Sequence, residues 1–207
     1  MTVFTASSNT LIANLWPSAQ SGAGHWLRYI LLAFAGSMAL AICAKIQVPF
    51  YPVPMTMTTF AVLAIGMAYG SRLGGATILL YLAEGAAGLP VFAGTPEKGI
   101  GIAYMLGGTG GYLLGYLFAA VACGWLAERN WDRKVVTTAL AMLFGNALIY
   151  VPGLLWLGIL FGWDKPILEW GLTPFILGDL TKLALAAAIL PLAWRFVGRR
   201  SGADTKG

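Results

Sequence analysis

Charge is scarce in this sequence: only 10% of the 207 residues are Asp, Glu, Lys or Arg, whereas 58% are hydrophobic. The mean hydropathy is +0.76. Soluble domains carry about 25% charged residues, so the composition excludes that class and indicates a polytopic membrane protein. A spanning helix needs roughly 20 apolar residues to cross about 30 Å of hydrocarbon. The apolar runs supply six such crossings in one bundle.

Histidine and cysteine are nearly absent, which leaves little for catalysis or metal binding. The single histidine, His25, lies near a helix boundary, so a Ser-His dyad or a histidine-based metal site has no histidine within the membrane. Cys43 and Cys123 lie in separate apolar runs without metal-ligand spacing. We therefore expect no catalytic residues, no metal and no cofactor.

The chain also lacks the GxxxxGK[ST] phosphate loop, so it cannot hydrolyse ATP by that route. Any energy for pumping must come from a partner or from an ion gradient. The net charge is +5, but the basic residues lie at helix ends, where they orient a membrane protein. Nucleic acid is therefore not expected as a partner.

The sequence predicts an all-α integral membrane protein with six transmembrane helices. Residues 1–25 lack the basic start and apolar core of a cleavable signal and are predicted to be an N-terminal tail. Residues 26–198 form the membrane domain, and residues 199–207 form a C-terminal tail. The predicted helices are Leu27–Ile46, Thr56–Tyr69, Leu73–Leu89, Thr109–Ala127, Val135–Phe161 and Leu172–Phe196.

The distribution of basic residues predicts the orientation of these helices. Lys and Arg accumulate in short loops on the cytoplasmic side, and only Lys45, Lys98 and Lys165 lie on the opposite side when the N-terminus is inside. Both tails are therefore expected to be cytoplasmic. The predicted location is the plasma membrane, in contact with lipid.

Two connections on the outer side cannot be regular helix. Pro49, Pro52 and Pro54 remove backbone donors between the first two helices, so this stretch either lines a cavity at membrane depth or forms a stiff outer loop. The connection Pro90–Gly108 is long and rich in glycine. It either covers a site as a mobile lid or forms a static cap.

Asp179 and Lys182 are the strongest candidates for a binding site. They lie one helical turn apart in the last apolar run, and ionisable side chains within a spanning segment are functional candidates because their burial is costly. Residues three apart share a helix face. A carboxylate accepts and an ammonium donates, so the pair complements a ligand with paired N–H groups beside a carbonyl, or a ligand with its own charge. The alternative is an ion pair that only fixes helix packing.

Other polar side chains are predicted to lie deep enough in the membrane to reach a ligand, and small residues are predicted to lie where helices pack together. Thr58, Tyr112, Asn146 and Tyr150 are secondary candidates for ligand binding, with hydrogen bonding between helices as the alternative. Small residues recur at intervals of four, which favours close packing of helices in lipid. One such stripe, containing Ala35 and Ala39, serves either intramolecular packing or the docking of another membrane subunit.

Four ordered motifs together resemble the BioY family, the biotin-specific S-components of energy-coupling factor (ECF) transporters. They are Pro52-Val53-Pro54-Met55-Thr56, Gly88-Leu89-Pro90-Val91-Phe92-Ala93-Gly94, Gly107-Gly108-Thr109-Gly110-Gly111-Tyr112 and Gly178-Asp179-Leu180-Thr181-Lys182. The resemblance implies high-affinity biotin capture and uptake, with Asp179 and Lys182 holding biotin. It also implies a transmembrane coupling subunit, which would meet Ala35 and Ala39, and ATPase subunits.

The resemblance makes Lys98 the nearest candidate to meet the biotin carboxylate. Two competing classes remain open to experiment. A stand-alone secondary carrier would move biotin with an ion gradient and without ATPases, and an intramembrane enzyme would change its ligand chemically. The chain is predicted not to be an enzyme.

Overall fold

The computed structural model describes residues 10–16 and 23–203. The main helices are long, and short helices and a two-residue ladder lie in the connections between them. In chain order the elements are α1 Leu11–Leu15, α2 Ala23–Lys45, β1 Gln47–Val48, β2 Met55–Thr56, α3 Thr58–Ala86, α4 Gly101–Met105, α5 Gly110–Ala127, α6 Val135–Phe161, α7 Ile167–Gly171, a 3-10 turn Thr173–Phe175 and α8 Ile176–Ala203.

The described part of the chain is mostly helical, as the apolar composition predicts. Five of its helical segments are long and apolar enough to cross a membrane. The strands β1 and β2 are the exception to an all-α fold: Gln47 pairs with Thr56 and Val48 pairs with Met55 in an antiparallel ladder. This ladder closes the proline-rich stretch into a hairpin, so backbone groups that cannot continue α2 are still paired.

The long helix α3 folds back on itself at Gly70. That residue has φ 83° and ψ 175°, which is not helical, and glycine accepts a positive φ without steric cost. A straight helix would separate Thr58 from Tyr81 by about 35 Å, yet both side chains line one cavity. A β-carbon on Gly74 would lie 3.1 Å from the Cα of Gly66. Residues 58–69 and 71–86 therefore pack against each other.

The turn at Gly70 is held by the end of a neighbouring helix. The Glu128 carboxylate accepts hydrogen bonds from the backbone N–H and the hydroxyl of Ser71, both at 2.9 Å. These bonds satisfy a donor at the start of the second half of α3 and place a negative charge where the helix dipole favours one.

Helix α5 lies at the centre of the bundle, between α3 and α6. A β-carbon on Gly111 would lie 2.2 Å from the carbonyl oxygen of Pro152, and one on Gly115 would lie 2.7 Å from the Cα of Ile149. Contacts this short leave no space for a side chain, so these glycines let α5 and α6 approach closely, as their four-residue spacing predicts.

Most predicted helix boundaries lie within a few residues of the observed ones. The helix α6 has the predicted limits, whereas α2 begins at Ala23, inside the predicted N-terminal tail. That tail also contains α1, whose Ile12 carbonyl accepts a 3.1 Å hydrogen bond from Arg28. The remaining tail residues 1–9, 17–22 and 204–207 lie outside the described residues.

Candidate binding site

A cavity opens between the long helices at one end of the bundle. The empty space within it, together with its opening to solvent, amounts to about 530 Å³. Its walls come from the β1–β2 hairpin, both halves of α3, the connection after α3, and α4, α5, α6 and α8. The lining residues are Val53, Pro54, Met55, Thr56, Thr58, Thr59, Tyr81, Phe92, Ala93, Tyr104, Thr109, Tyr112, Leu113, Tyr116, Tyr150, Phe175, Asp179 and Lys182.

The polar part of the cavity is an ion pair between Asp179 and Lys182. The Lys182 Nζ lies 3.0 Å from Asp179 Oδ1 and donates a second hydrogen bond, at 2.9 Å, to the hydroxyl of Thr59. The Tyr150 hydroxyl donates to Asp179 Oδ2. Both charged side chains are about nine-tenths buried. Because each charge faces an opposite charge and further polar groups, the cost of burying it is reduced.

Local sequence explains how α8 presents this pair. The 3-10 turn Thr173–Phe175 includes Pro174 and leads directly into α8, and proline is compatible with a first helical turn because its missing donor is not needed there. Asp179 follows in the first turn, where the helix dipole stabilises a carboxylate. Lys182 lies three residues later and therefore on the same face.

Aromatic rings form most of the remaining wall. The Phe92 ring stacks on Tyr104 at 5.1 Å between centroids and meets the edge of Tyr81 at 5.3 Å. Nearer the ion pair, Tyr150 stacks on Phe175 at 6.3 Å. Such rings bury large apolar areas and keep fixed geometry, so the cavity combines one charged end with a rigid apolar wall.

The predicted site residues divide between this cavity and its surroundings. Thr58 is almost fully buried and lines the cavity, as do Tyr112 and Tyr150. The Tyr112 hydroxyl donates to the Gly171 carbonyl at 2.8 Å, so it also anchors α7. Asn146 does not line the cavity but faces an apolar groove between α6 and α8, which shares Tyr150 and Asp179 with it.

Lys98 lies in an adjoining depression outside the main cavity. The two spaces share Pro54, Tyr104 and Thr109, so the depression adjoins the cavity. Lys98 belongs to the 91–98 segment, which follows α3 and supplies Phe92 and Ala93 to the cavity wall. The connection between α3 and α5 therefore contributes to the site.

Sequence reasoning missed several residues of the cavity. Thr59 is not among the predicted binding residues, yet it lines the cavity and accepts a hydrogen bond from Lys182. Tyr116 is also absent from the predicted site, although it follows Tyr112 by one helical turn, and this spacing indicates a shared helix face. No sequence pattern indicates that Tyr81 and Phe92 line the cavity, because their contact depends on how the connection after α3 folds back onto that helix.

Two features lie outside the cavity: a polar contact of Glu84 and the small-residue stripe on α2. Glu84 accepts a hydrogen bond from the Ser37 hydroxyl, so it links α2 to α3. Ala35 and Ala39 are exposed on α2, and so are Phe34 and Met38 beside them. The small-residue stripe therefore does not pack against another helix in the described part of the chain.

The comparisons with known proteins agree on one family. The sequence model of the BioY family matches residues 13–199. A protein of Pyrococcus horikoshii named probable biotin transporter BioY is 37% identical over 149 residues, which cover 72% of this chain and 85% of that protein. The biotin transporter BioY of Thermotoga maritima is 32% identical over 163 residues, with coverages of 79% and 94%.

A solved structure shares the fold. It is the S-component for biotin from an ECF-type ABC transporter, and it matches 84% of this chain and 95% of its own length with a TM-score of 0.67 at 23% identity. This likeness supports the helical arrangement described above, and the sequence matches identify the relatives. The chain belongs to the BioY family.

Proposed function

We propose that this chain captures biotin with high affinity and serves as the substrate-binding subunit of an ECF-type transporter. The observation that carries the proposal is the nearly buried Asp179–Lys182 pair in an aromatic cavity. Relatives at 32% and 37% identity bear the name biotin transporter, which favours transport over an intramembrane enzyme.

The hydrogen-bonding capacity of the pair suits the ureido group of biotin, which has two N–H donors and one carbonyl. A carboxylate offers about four acceptor positions, and Asp179 uses two of them, toward Lys182 and Tyr150. Lys182 uses two of its three donors within the described residues, toward Asp179 and Thr59. Asp179 can therefore accept from a ureido N–H while Lys182 donates to the carbonyl.

The rest of the cavity suits the apolar part of the ligand. The sulfur-containing ring and aliphatic chain of biotin would pack on Tyr81, Phe92, Tyr104 and Tyr116. The depression beyond Tyr104 contains Lys98, whose ammonium would meet the carboxylate at the end of that chain. An ion pair without net charge at one end of the path and a single ammonium at the other would then set the direction in which biotin binds.

The chain would sit in the plasma membrane with six crossings and both ends in the cytoplasm. The fold of α3 at Gly70 supports this number, because residues 58–69 and 71–86 would cross separately. The turn at Gly70 lies two residues before Arg72 and contacts Glu128, which precedes Arg129, and basic residues favour the cytoplasmic side. The cavity lies at the other end of these helices and would open outward.

Transport would require partner subunits. Ala35 and Ala39 leave a shallow surface on α2 where a transmembrane coupling subunit could approach closely. The sequence has no phosphate loop, so ATPase subunits bound to that partner would supply the energy. Uptake of biotin that needs added coupling subunits and ATP would support this assignment, whereas uptake by the isolated chain along an ion gradient would contradict it.

The site can be tested by measuring binding of labelled biotin to purified protein in detergent. We expect Asp179→Asn and Lys182→Ala each to remove most binding while the protein stays folded and monodisperse. The exposed pair Asp164 and Lys165, also 3.0 Å apart, supplies matched controls: Asp164→Asn and Lys165→Ala should bind normally. Normal affinity in both site variants would contradict the proposed site.

A further inference from the structure

We propose that Lys45 is a positioning residue that holds the 91–98 segment over the cavity and thereby sets how long the ligand stays bound. The role rests on the proposed function for its ligand. Lys45 is the last residue of α2 and does not line the cavity. It acts through the backbone of a segment that lies 47 to 50 residues later in the chain.

All three ammonium donors of Lys45 are used on this segment. The Lys45 Nζ donates to the Phe92 carbonyl at 3.0 Å, to the Thr95 carbonyl at 3.0 Å and to the Thr95 hydroxyl at 3.1 Å. An ammonium group has three donors, so none is left for a ligand. Bonds with a charged donor are also stronger than neutral ones. All three donors of Lys45 therefore bind the 91–98 segment.

The residues that Lys45 holds belong directly to the cavity wall. Phe92 is 1% exposed, stacks on Tyr104 and touches Tyr81, and its carbonyl receives a second hydrogen bond from the Thr95 hydroxyl at 2.6 Å. A further polar link, from the Tyr81 hydroxyl to the Val91 carbonyl at 3.1 Å, holds the start of the segment. Lys45 therefore fixes Phe92 and Thr95, of which Phe92 lines the cavity.

Lys45 lies at the end of α2, next to the β1–β2 hairpin, which forms a second wall of the cavity. The next residue, Ile46, accepts a 3.1 Å hydrogen bond from Met57, and the following ladder carries Met55 and Thr56, which line the cavity. The end of α2 thus joins the hairpin wall to the 91–98 wall. A ligand between these walls would therefore be held by two segments that both depend on the end of α2.

The test is the rate at which labelled biotin leaves Lys45→Met, which keeps the length of the side chain and removes its donors. We expect release about tenfold faster than in the unchanged protein, which corresponds to roughly one net hydrogen bond to a charged group. Association should change by less than about twofold. Lys165→Met, an exposed lysine whose ion pair is with its neighbour Asp164, is the control. Unchanged release from Lys45→Met would overturn the proposal.

Amide hydrogen exchange without ligand provides a readout that does not depend on biotin. In Lys45→Met, the amides of Thr95 and Lys98, bonded to Phe92 and Gly94, should exchange faster, whereas those of α5 and α6 should not change. Exchange that increases throughout the bundle, or nowhere, would overturn the positioning role. If the unchanged protein failed to bind biotin, the proposed function would fail while this measurement still decided the role of Lys45.

Discussion

Tyr150 on α6 donates its hydroxyl hydrogen bond to Asp179 on α8. The Asp179 carboxylate is therefore held from two directions, because Lys182 on its own helix binds the other oxygen. A carboxylate fixed at both oxygens presents its remaining acceptor positions to the cavity in one orientation. Because the carboxylate is already fixed, the protein loses less side-chain entropy when a ligand binds.

The first prediction concerns this hydrogen bond. Tyr150→Phe keeps the ring that stacks on Phe175 and removes only the donor to Asp179, so we expect biotin affinity to fall by about 1 to 2 kcal/mol, roughly 5- to 30-fold in Kd. Titration calorimetry in detergent would measure the change. Tyr69→Phe, at a phenol outside the cavity, should have no effect. Equal affinity of Tyr150→Phe and the unchanged protein would show that this bond does not support the site.

The second prediction concerns the contact between Thr59 and Lys182. Thr59→Val preserves shape but removes the oxygen that accepts from Lys182 at 2.9 Å, so the ammonium should be less well oriented and Kd should rise about fivefold. In a protein that already carries Lys182→Met, adding Thr59→Val should not raise Kd further, because the ammonium that Thr59 contacts is absent.

The control for this double-mutant cycle is Thr181→Val. The Thr181 hydroxyl donates to the Leu177 carbonyl on the exposed face of α8, and among the described residues it is not a hydrogen-bond partner of Lys182. The biotin affinity of this variant should not change. Additive losses for Thr59→Val and Lys182→Met, measured by equilibrium binding, would mean that Thr59 acts independently of Lys182.

The third prediction concerns Asp132, a fully buried carboxyl in the connection between α5 and α6. Its Oδ1 has no hydrogen-bond partner among the described residues, whereas its Oδ2 accepts from the Trp194 indole. Burial raises the pKa of Asp132, although Trp194, its own backbone N–H and Arg133 oppose this. The ionised form is thus less stable in the folded protein than in the unfolded chain.

The sign of the pH effect follows from that raised pKa. Above the folded-state pKa the buried charge lowers stability, and below the unfolded-state value the penalty disappears. We expect Asp132→Asn, which keeps an oxygen for Trp194, to raise Tm at pH 7 and to lose this advantage as the pH falls toward 4. Thermal unfolding followed by tryptophan fluorescence would measure it, with exposed Asp164→Asn as control. A lower Tm for Asp132→Asn at every pH would contradict the argument.

The fourth prediction separates binding from coupling on α2. Ala35→Trp and Ala39→Trp place bulk on an exposed stripe, so they should block the close approach of a coupling subunit while biotin still binds normally. Uptake by cells that express the coupling and ATPase subunits should fall at least about tenfold, and copurification of those subunits should be lost. Leu143→Trp, on an exposed face of α6, should leave both unchanged. Normal uptake by both alanine variants would place the docking surface elsewhere.

Periodicity and polarity in the sequence were enough to predict much of the helical framework. Helix α6 has its predicted limits because an apolar run bounded by Lys134 and Gly162 can satisfy its backbone in lipid only as a helix. The contact between Asp179 and Lys182 could also be predicted, since a three-residue spacing puts both charges on one face. The sequence also indicated a break near Gly70, where Arg72 and glycines interrupt the apolar run.

Long-range contacts were not predictable from local pattern. Tyr150 and Asn146 are one turn apart on α6, yet Tyr150 lines the cavity and Asn146 faces only the neighbouring groove. The difference depends on where α8 crosses α6 and on the greater reach of the tyrosine. Similarly, Lys45 was predicted only as a basic residue on the outer side, because nothing near it in sequence indicates a partner about fifty residues away.

The sequence by itself determined that this is a helical membrane protein with a charged pair in its last spanning segment, because hydropathy and helical spacing are local properties. The tertiary structure alone decided which groups surround that pair. Thr59, Tyr150 and the aromatic wall reach it from other helices, and Lys45 holds a distant connection over it. These positions follow from the packing of helices against one another, which depends on the whole chain.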